Sequence, residues 1–267
     1  MPSFICTTCG VGFASSEIPP THCPICADER QYVNAKGQSW TTLAELQATH
    51  TNDIREVEPG LWGIGATPQI AIGQRALFMP QPGGGVLWDC TPLVTDEAVV
   101  HIKSLGGLRA IAISHPHFYS SMVDWSEAFG GIPIHVHDSN RSHVMRPSEH
   151  IRYFTEDRID LGQGISVTRC GGHFAGSAAL HWPAVDGKGV LMTGDTIMVV
   201  PDTRWVSFMY SYPNLIPLPA REVTRIVGTI DDLSYDRIYS AWWDRVMTSD
   251  AKARVHASAA RYIAALA

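Results

Sequence analysis

The stretch LRAIAISHPHFYS at 108–120 decides the fold class, because a buried strand in it runs directly into two histidines. Residues 108–114 are mostly apolar, which predicts a strand that is covered on both faces. His115 and His117 follow in a turn, two positions apart, and at this spacing both imidazoles can face one ion. The sequence therefore predicts a metal centre at the end of this strand.

Two later segments carry further candidate ligands. His173 stands in CGGHFAGSAALHW at 170–182, in a glycine-rich turn that follows an expected strand. Asp195 stands in LMTGDT at 191–196, just beyond another apolar run. Imidazoles and a carboxylate are ligands that suit zinc or non-haem iron. A sheet protein gathers a site in this way from strand ends that are distant in the chain.

The rest of the large region reads as strands with interspersed helices. Short apolar or alternating runs bounded by Gly and Pro predict strands at 61–66, 69–74, 75–80, 85–90, 132–137, 165–170 and 189–194. Helical patterns lie at 95–107, around 121–129, and at 219–232 and 249–266. This order indicates an α/β fold in which packed sheets are covered by helices.

The first 35 residues form a different region, which we call the four-cysteine segment. It holds two CxxC pairs, Cys6 with Cys9 and Cys23 with Cys26. Each pair is a tight knuckle that points two thiolates at one metal, and two knuckles make a closed tetrahedral site for zinc or iron. A segment of this size cannot bury enough apolar surface to fold unaided. Cys90 and Cys170 lie outside it and are expected to be buried free thiols.

The four-cysteine segment resembles zinc ribbons and the rubredoxin-like domain of rubrerythrins over about residues 4–33. In the iron form this resemblance implies one-electron transfer, and in the zinc form it implies a structural metal that contributes free energy to folding. We favour structural zinc, with iron as the alternative. A linker helix is expected within 36–54, where SWTTLAELQATH at 39–50 has helical spacing, and the large domain is expected over 55–267.

The order SHPH, GGHFAGSAALHW and LMTGD resembles the metallo-β-lactamase superfamily over about residues 55–245. This resemblance implies an αββα sandwich with its metals at one edge. His115, His117 and His173 match the three histidines of the family's first metal position. Asp195 matches the carboxylate that usually bridges two metals.

The sequence departs from the family pattern where the second metal would bind. Tyr119 and Ser120 stand in place of an aspartate and a histidine, and Trp242 or Trp243 stands in place of the last histidine. The resemblance therefore implies one metal ion. Tyr119 and Ser120 are expected to line the pocket and to be catalytic candidates beside Asp195. Tyr119 would donate a hydrogen bond to an oxyanion or would fill the vacated volume.

Three functions stay open at this point. The first is hydrolysis of an ester, thioester, lactone or amide, since three imidazoles with an open position form a catalytic zinc geometry. The second is a mononuclear iron oxidoreductase that receives electrons from the four-cysteine segment. The third is a metal-binding protein without catalytic activity.

Composition limits the partners. The chain has 267 residues, 17% of them charged, and a formal net charge of -6. Nucleic acids and anionic membranes require a basic surface, so we expect neither as a partner and a small-molecule substrate instead. The aromatic segment 203–219 is expected to be a pocket wall or a homodimer surface. The N-terminus lacks a basic region followed by an apolar run, which predicts a cytoplasmic location.

Overall fold

The computed structural model describes all 267 residues, beginning with the four-cysteine segment. The elements of this segment are β1 (Phe4–Cys6) and α1 (Pro24–Ala27), and the linker that follows contains β2 (Trp40–Thr42) and α2 (Leu43–Thr49). Strands β1 and β2 pair antiparallel. Thr42 and Glu45 form a capping box that starts α2. The linker helix is therefore shorter than the sequence predicted, because residues 40–42 extend to pair with β1.

The first large sheet has seven strands in chain order, accompanied by two helices. They are β3 (Thr51–Glu58), β4 (Leu61–Thr67), β5 (Ala76–Met79), β6 (Gly85–Trp88), α3 (Asp96–Ser104), β7 (Leu108–Ala112), α4 (Met122–Ala128), β8 (Ile134–His137) and β9 (Ile151–Phe154). Neighbours from β3 to β6 are antiparallel, and neighbours from β6 to β9 are parallel. The strand predicted at 69–74 is wrong, because Ala71 and Gly73 adopt positive φ angles and the chain turns there.

The second large sheet has six strands in the order β10-β11-β12-β13-β18-β19. The elements of this half are β10 (Arg158–Asp160), β11 (Ser166–Arg169), β12 (Ala178–Trp182), β13 (Val190–Met192), β14 (Met198–Val199), β15 (Val206–Ser207), β16 (Met209–Ser211), β17 (Ile216–Pro217), α5 (Ala220–Thr229), β18 (Arg237–Tyr239), β19 (Val246–Met247) and α6 (Ala251–Ala265). Strands β14 and β15 form one small hairpin, and β16 and β17 form another.

The two sheets face each other across an apolar layer. Trp88 and Leu77 of the first sheet meet Leu180 and Val167 of the second in this layer. Helices α3 and α4 share a core with the outer face of the first sheet, and α5 and α6 share one with the outer face of the second. The layers thus run helix, sheet, sheet, helix. None of the helices is both long and apolar enough to cross a lipid bilayer.

The four-cysteine segment packs onto the helical face of the first sheet. Its Cys9 and Ile25 lie in the same continuous core as Trp125 of α4. The backbone N–H of Gly12 donates to the carbonyl of Ser120 at 3.0 Å, beside the predicted metal ligands. The segment is therefore joined to the large domain by shared core packing as well as by the covalent chain.

Candidate metal centre

Four predicted ligands meet at one edge of the sandwich. His115 and His117 follow β7 in the first sheet, and the short 3-10 helix Pro116–Phe118 turns the chain between them. His173 lies in the turn between β11 and β12, and Asp195 follows β13 in the second sheet. All four side chains are buried. Both sheets therefore contribute ligands to the same site.

The distances between the donor atoms suit a single metal ion. Oδ2 of Asp195 lies 3.3 Å from Nε2 of His115, 3.6 Å from Nδ1 of His117 and 3.7 Å from Nε2 of His173. The last two histidine nitrogens are 3.4 Å apart. Zinc–nitrogen bonds of about 2.0–2.1 Å in a tetrahedron correspond to ligand separations of about 3.4 Å. The residues present therefore fit a zinc-sized ion.

Unpartnered polar atoms at the centre lead to the same conclusion. Nε2 of His115 and Oδ1 of Asp195 are buried and have no hydrogen-bond partner. Buried polar atoms in folded proteins nearly always have one, since an unsatisfied group costs about 1–3 kcal/mol. A bound cation would satisfy this cluster. Its donor set suits zinc or ferrous iron.

Hydrogen bonds fix which imidazole nitrogen faces the centre. Nδ1 of His173 donates to the carbonyl of Tyr210 at 2.8 Å, so its Nε2 is free to bind a metal. Nδ1 of His115 lies 2.9 Å from Oγ of Ser114, and that hydroxyl donates to Asp89 at 3.0 Å. Such outer partners orient the ligands of metal sites.

Asp89 is a partner of the candidate site that the sequence did not lead us to expect. It directly follows β6, the parallel neighbour of β7, so both strands end at the same edge of the sheet. A carboxylate at the end of a buried strand, in GVLWDC at 85–90, was the available signal. Asp89 also accepts the backbone N–H of Ser114 at 2.7 Å. It thereby holds the start of the turn that carries His115 and His117.

Burial sets the protonation of the centre. It lowers the pKa of His115 to about 4 and the pKa of His173 to about 3, so both rings are neutral at pH 7. Burial opposes ionisation of Asp195, yet the neighbouring histidines, His115 first, lower its pKa well below the usual range. Burial also raises the pKa of Asp89 to about 8. The result is two neutral imidazoles beside an ionised carboxylate, as metal binding requires.

A cavity of about 560 Å³ opens onto the centre at His117 and Asp195. This volume is within the range of small-molecule sites. Its other lining residues are Arg30, Gln31, Tyr32, Gln69, Ala71, Ile72, Met198, Tyr212, Pro213 and Trp242. Trp242, one of the two tryptophans found where the resemblance led us to expect the last histidine, lines this cavity and donates from Nε1 to the carbonyl of Ile72 at 3.0 Å.

Tyr119 and Ser120 lie elsewhere than the sequence led us to expect, since neither lines this cavity. The hydroxyl of Tyr119 donates to the carbonyl of Asn140 at 3.2 Å, and Oγ of Ser120 accepts from Gln74 at 3.1 Å. Both side chains are buried. The Tyr119 ring and the two hydroxyl groups pack within the turn after His117, away from the cavity.

The four cysteines form a second group suited to a metal. Their sulfur atoms lie within 4.8 Å of one another. The Cys6–Cys26 separation is 3.5 Å and the Cys9–Cys23 separation is 3.7 Å. Zinc–sulfur bonds of about 2.3 Å correspond to separations of about 3.8 Å in a tetrahedron. Cys90 and Cys170 lie apart from this group and are buried as free thiols.

Comparison with solved structures identifies the fold. The DIM-1 metallo-β-lactamase has a TM-score of 0.58 at 15% identity, over 80% of this chain and 98% of its own. A B3 metallo-β-lactamase with an active-site glutamic acid gives 0.54 at 15% identity, over 80% and 89%. A Cronobacter sakazakii metallo-β-lactamase mutant gives 0.51 at 17% identity, over 80% and 95%. The chain thus has the metallo-β-lactamase fold, which confirms the predicted fold class and resemblance.

A relative of similar length places the chain more narrowly. It is 45% identical over 269 aligned positions to the uncharacterized protein YmaE of Bacillus subtilis (strain 168). The alignment covers 100% of this chain and 97% of the relative. The chain therefore belongs to the YmaE family. No protein-family model matches it.

Proposed function

We propose that this protein is a metal-dependent hydrolase with one zinc ion at its histidine centre. Its substrate in this proposal is a small molecule with an ester, thioester, lactone or amide bond. The observation that carries the proposal is the group of four buried donor atoms beside a cavity of about 560 Å³. His115, His117 and His173 would hold the ion, and Asp195 would assist.

Bound zinc supplies a Lewis acid and lowers the pKa of a coordinated water to about 7. The side chains of this protein supply the remaining functions. Asp195 lines the cavity as an ionised carboxylate, where it can serve as a fourth ligand or accept a hydrogen bond from the attacking water. The hydroxyl of Tyr212 donates to the backbone carbonyl of Asp195 at 3.0 Å and so fixes the turn that carries this carboxylate.

Two features support a single ion. Tyr119 and Ser120 occupy family ligand positions, and their hydroxyl groups are engaged within the protein. The indole of Trp242 lines the cavity in place of a third ligand.

All six cysteines are free of disulfides, which supports a reducing, cytoplasmic setting for the reaction.

The test is metal content per chain by elemental analysis, with hydrolysis of p-nitrophenyl acetate as the activity measurement. We expect two zinc ions in the wild type and one in His117→Ala, with hydrolysis lost in the variant. The matched control is His256→Ala, which removes a half-exposed histidine on α6 and should keep both ions and the activity. Full activity in His117→Ala would overturn the proposal.

A mononuclear iron oxidoreductase is the second candidate. The observation that favours it is a continuous connection between the two candidate metal sites, from Cys26 along the chain to Arg30 and through a 3.0 Å hydrogen bond to His173. Iron in both sites, with a red colour from the four-cysteine site, would support this candidate. One metal ion in wild type and His117→Ala alike would support a protein without catalytic activity.

A further inference from the structure

Arg30 lies between the two candidate metal sites. It follows helix α1, which carries the second cysteine knuckle, by three positions in the chain. Asp28 binds its guanidinium through two contacts, at 2.6 Å and 2.5 Å. Both side chains are mostly buried, with exposed fractions of 16% and 19%. The orientation of the Arg30 guanidinium is therefore fixed by Asp28, which lies two positions after Cys26 in the chain.

The free edge of this guanidinium reaches the histidine centre. Its Nη1 donates to the backbone carbonyl of His173 at 3.0 Å. Its central carbon lies 3.7 Å from the centroid of the Phe174 ring, within the range of a cation–π contact. The same ring also contacts the imidazoles of the three histidine ligands and that of His143, with centroids 5.1–5.6 Å away. Arg30 thus contacts the loop that carries His173 at two points, the backbone carbonyl of His173 and the aromatic ring of Phe174.

The loop that carries His173 is held by hydrogen bonds, some internal and some from other segments, as in the 2.8 Å bond from the N–H of Gly171 to the carbonyl of Ser177. Gly171 and Gly172 both have positive φ, so the chain that leads to His173 passes through two residues without side-chain contacts of their own. The Nδ1 bond to Tyr210 fixes the ring, and the Arg30 bond fixes the carbonyl. Without Arg30, the backbone of this ligand would keep fewer restraints.

The segment that carries Arg30 is itself anchored to the same side of the cavity. The carbonyl of Glu29 accepts from Oγ of Ser211 at 2.5 Å and from Nδ2 of Asn214 at 2.7 Å. Ser211 ends β16, one residue after Tyr210. The four-cysteine segment, through Arg30, and the β16–β17 hairpin, through Tyr210, therefore both restrain His173. The two segments are also bonded to each other.

We propose that Arg30 is a positioning residue for the metal ligand His173, so that the four-cysteine segment tunes metal affinity at the histidine centre. This inference rests on the metal site of the proposed function, though not on the reaction. Loss of an outer partner of a metal ligand typically lowers metal affinity about 10–100-fold. We expect a loss of that size when Arg30 is replaced.

The experiment measures Co²⁺ affinity at the histidine centre by chelator competition, together with the visible d–d spectrum, in Arg30→Met. The expected result is about a 10-fold weaker affinity and a shifted spectrum, with the metal of the four-cysteine site retained. Arg204→Met is the matched control, because Arg204 makes the same paired contact with the residue two before it, Asp202, at an exposed position. That control should leave both readings unchanged.

Arg30→Lys is the second variant, and it can be measured if Arg30→Met does not fold. A lysine retains the charge but lacks the planar fork that binds Asp28 and the carbonyl of His173 at once. Its affinity should fall between those of wild type and Arg30→Met. Wild-type affinity and spectrum in a folded Arg30 variant would overturn the inference. Absence of metal from the histidine centre in the wild type would instead overturn the proposed function.

A second inference concerns the substrate and rests on the charges of the cavity walls. Apart from the metal ligands, Arg30 is the charged residue of the lining, and its guanidinium is already paired with Asp28. The remaining walls are apolar or aromatic, with two carboxamides, Gln31 and Gln69. The Gln31 side chain is buried, and its Nε2 has no hydrogen-bond partner. Rotation about the terminal bond can turn either end of a carboxamide toward a ligand.

We infer that the cavity takes an uncharged carbonyl compound with a hydrocarbon or aromatic group, and that Gln31 binds one of its polar atoms. A charged substrate group would lose its hydration against these walls without gaining a partner of opposite charge. The inference deepens the proposed function and depends on it. Tyr32, Ile72 and Met198 would contact the apolar group.

The test compares p-nitrophenyl butyrate with p-nitrophenyl hemisuccinate, which share a leaving group and differ by a terminal carboxylate. We expect kcat/KM at least about 10-fold higher for the butyrate, as for loss of roughly 1.4 kcal/mol of transition-state binding. Met198→Lys should reduce or reverse this preference, and Gln31→Met should lower kcat/KM for both esters. Val100→Lys, on the exposed face of α3, is the control and should match wild type.

The outcomes separate this inference from the proposed function. Turnover of both esters with equal rates, or with preference for the hemisuccinate, would overturn the inference and leave the hydrolase proposal standing. Hydrolysis of neither ester by zinc-loaded protein would count against the hydrolase proposal and the inference together.

Discussion

Nε2 of His115 lies 3.3 Å from Oδ2 of Asp195, although the two residues follow strands of different sheets. The centre therefore exists only when the two sheets are packed face to face. A metal ion bound there would join both halves of the sandwich, and its binding free energy would add to the stability of the packed state.

Asp195→Asn tests the charge of this contact. The substitution keeps the shape of the side chain but removes the negative charge that faces three buried imidazoles. We expect Zn²⁺ affinity at the histidine centre, measured by chelator competition, to fall at least about tenfold, because loss of even an outer partner of a metal ligand has an effect of that size. Asp202→Asn, at an exposed position, should bind zinc as the wild type does. Equal affinity in the two variants would rule out a role for the carboxylate.

Gly63→Ala tests the packing of Trp243 against strand β4. A Cβ atom on Gly63 would lie 2.7 Å from Cζ3 of Trp243, whose rigid indole covers β4. Overpacking of this kind costs about 1–3 kcal/mol, so the free energy of unfolding should fall by that amount in urea denaturation.

Gly228→Ala is the matched control for this packing prediction. A Cβ atom there meets nothing within 4 Å, and Gly228 lies within α5. Alanine is favoured over glycine inside a helix by about 0.8–1 kcal/mol. The control should therefore be as stable as wild type or more stable. A Gly63→Ala protein of wild-type stability would show that Trp243 moves freely.

Arg237→Met tests a partly buried ionic contact between the two halves of the sandwich. Nε of Arg237 in β18 lies 2.9 Å from Glu58 at the end of β3, and the hydroxyl of Tyr239 donates to the same carboxylate at 2.8 Å. Removing Arg237 leaves the Glu58 carboxylate with Tyr239 as a remaining partner, and we expect a loss of about 1–3 kcal/mol in free energy of unfolding. The exposed pair removed by Arg204→Met should contribute about 0–1 kcal/mol.

Cys170 provides a test of burial through thiol chemistry. Burial raises the pKa of the Cys170 thiol to about 12, and it raises the pKa of Cys90 as well. The reactive thiolate is then only about one part in ten thousand of Cys170 at pH 8. Iodoacetamide should leave both residues unmodified in the native protein and alkylate both after unfolding, as mass spectrometry would show. Rapid native alkylation would contradict the packing described for them.

The ligands at the centre could be predicted from sequence because each one belongs to a short local pattern. SHPH and LMTGD place the histidines and Asp195 directly after apolar strands, and those strands are present at 108–112 and 190–192. Buried strands of this kind are specified by local hydrophobicity. The same reasoning predicted β4, β5 and β6 with ends within two residues of those observed.

Residues that act across the tertiary structure could not be found in this way. Arg30 lies far from His173 in the chain, and no local pattern records the contact between them. The failed strand at 69–74 has a similar cause. The alternation in QIAIGQ is typical of a strand, yet Ala71 turns with positive φ beside Gly10 of the four-cysteine segment. Tertiary packing there overrides the local preference.

The shared core of the four-cysteine segment and the first sheet has a consequence for the life of the protein in a cell. Cys9 and Ile25 lie in one apolar core with Trp125, so a chain whose cysteines lack metal would expose part of that core. Newly made chains would then compete for the ion with other proteins, and the unsuccessful ones would be degraded. The steady-state amount of this protein in the cell should therefore rise and fall with the supply of the metal that its cysteines bind.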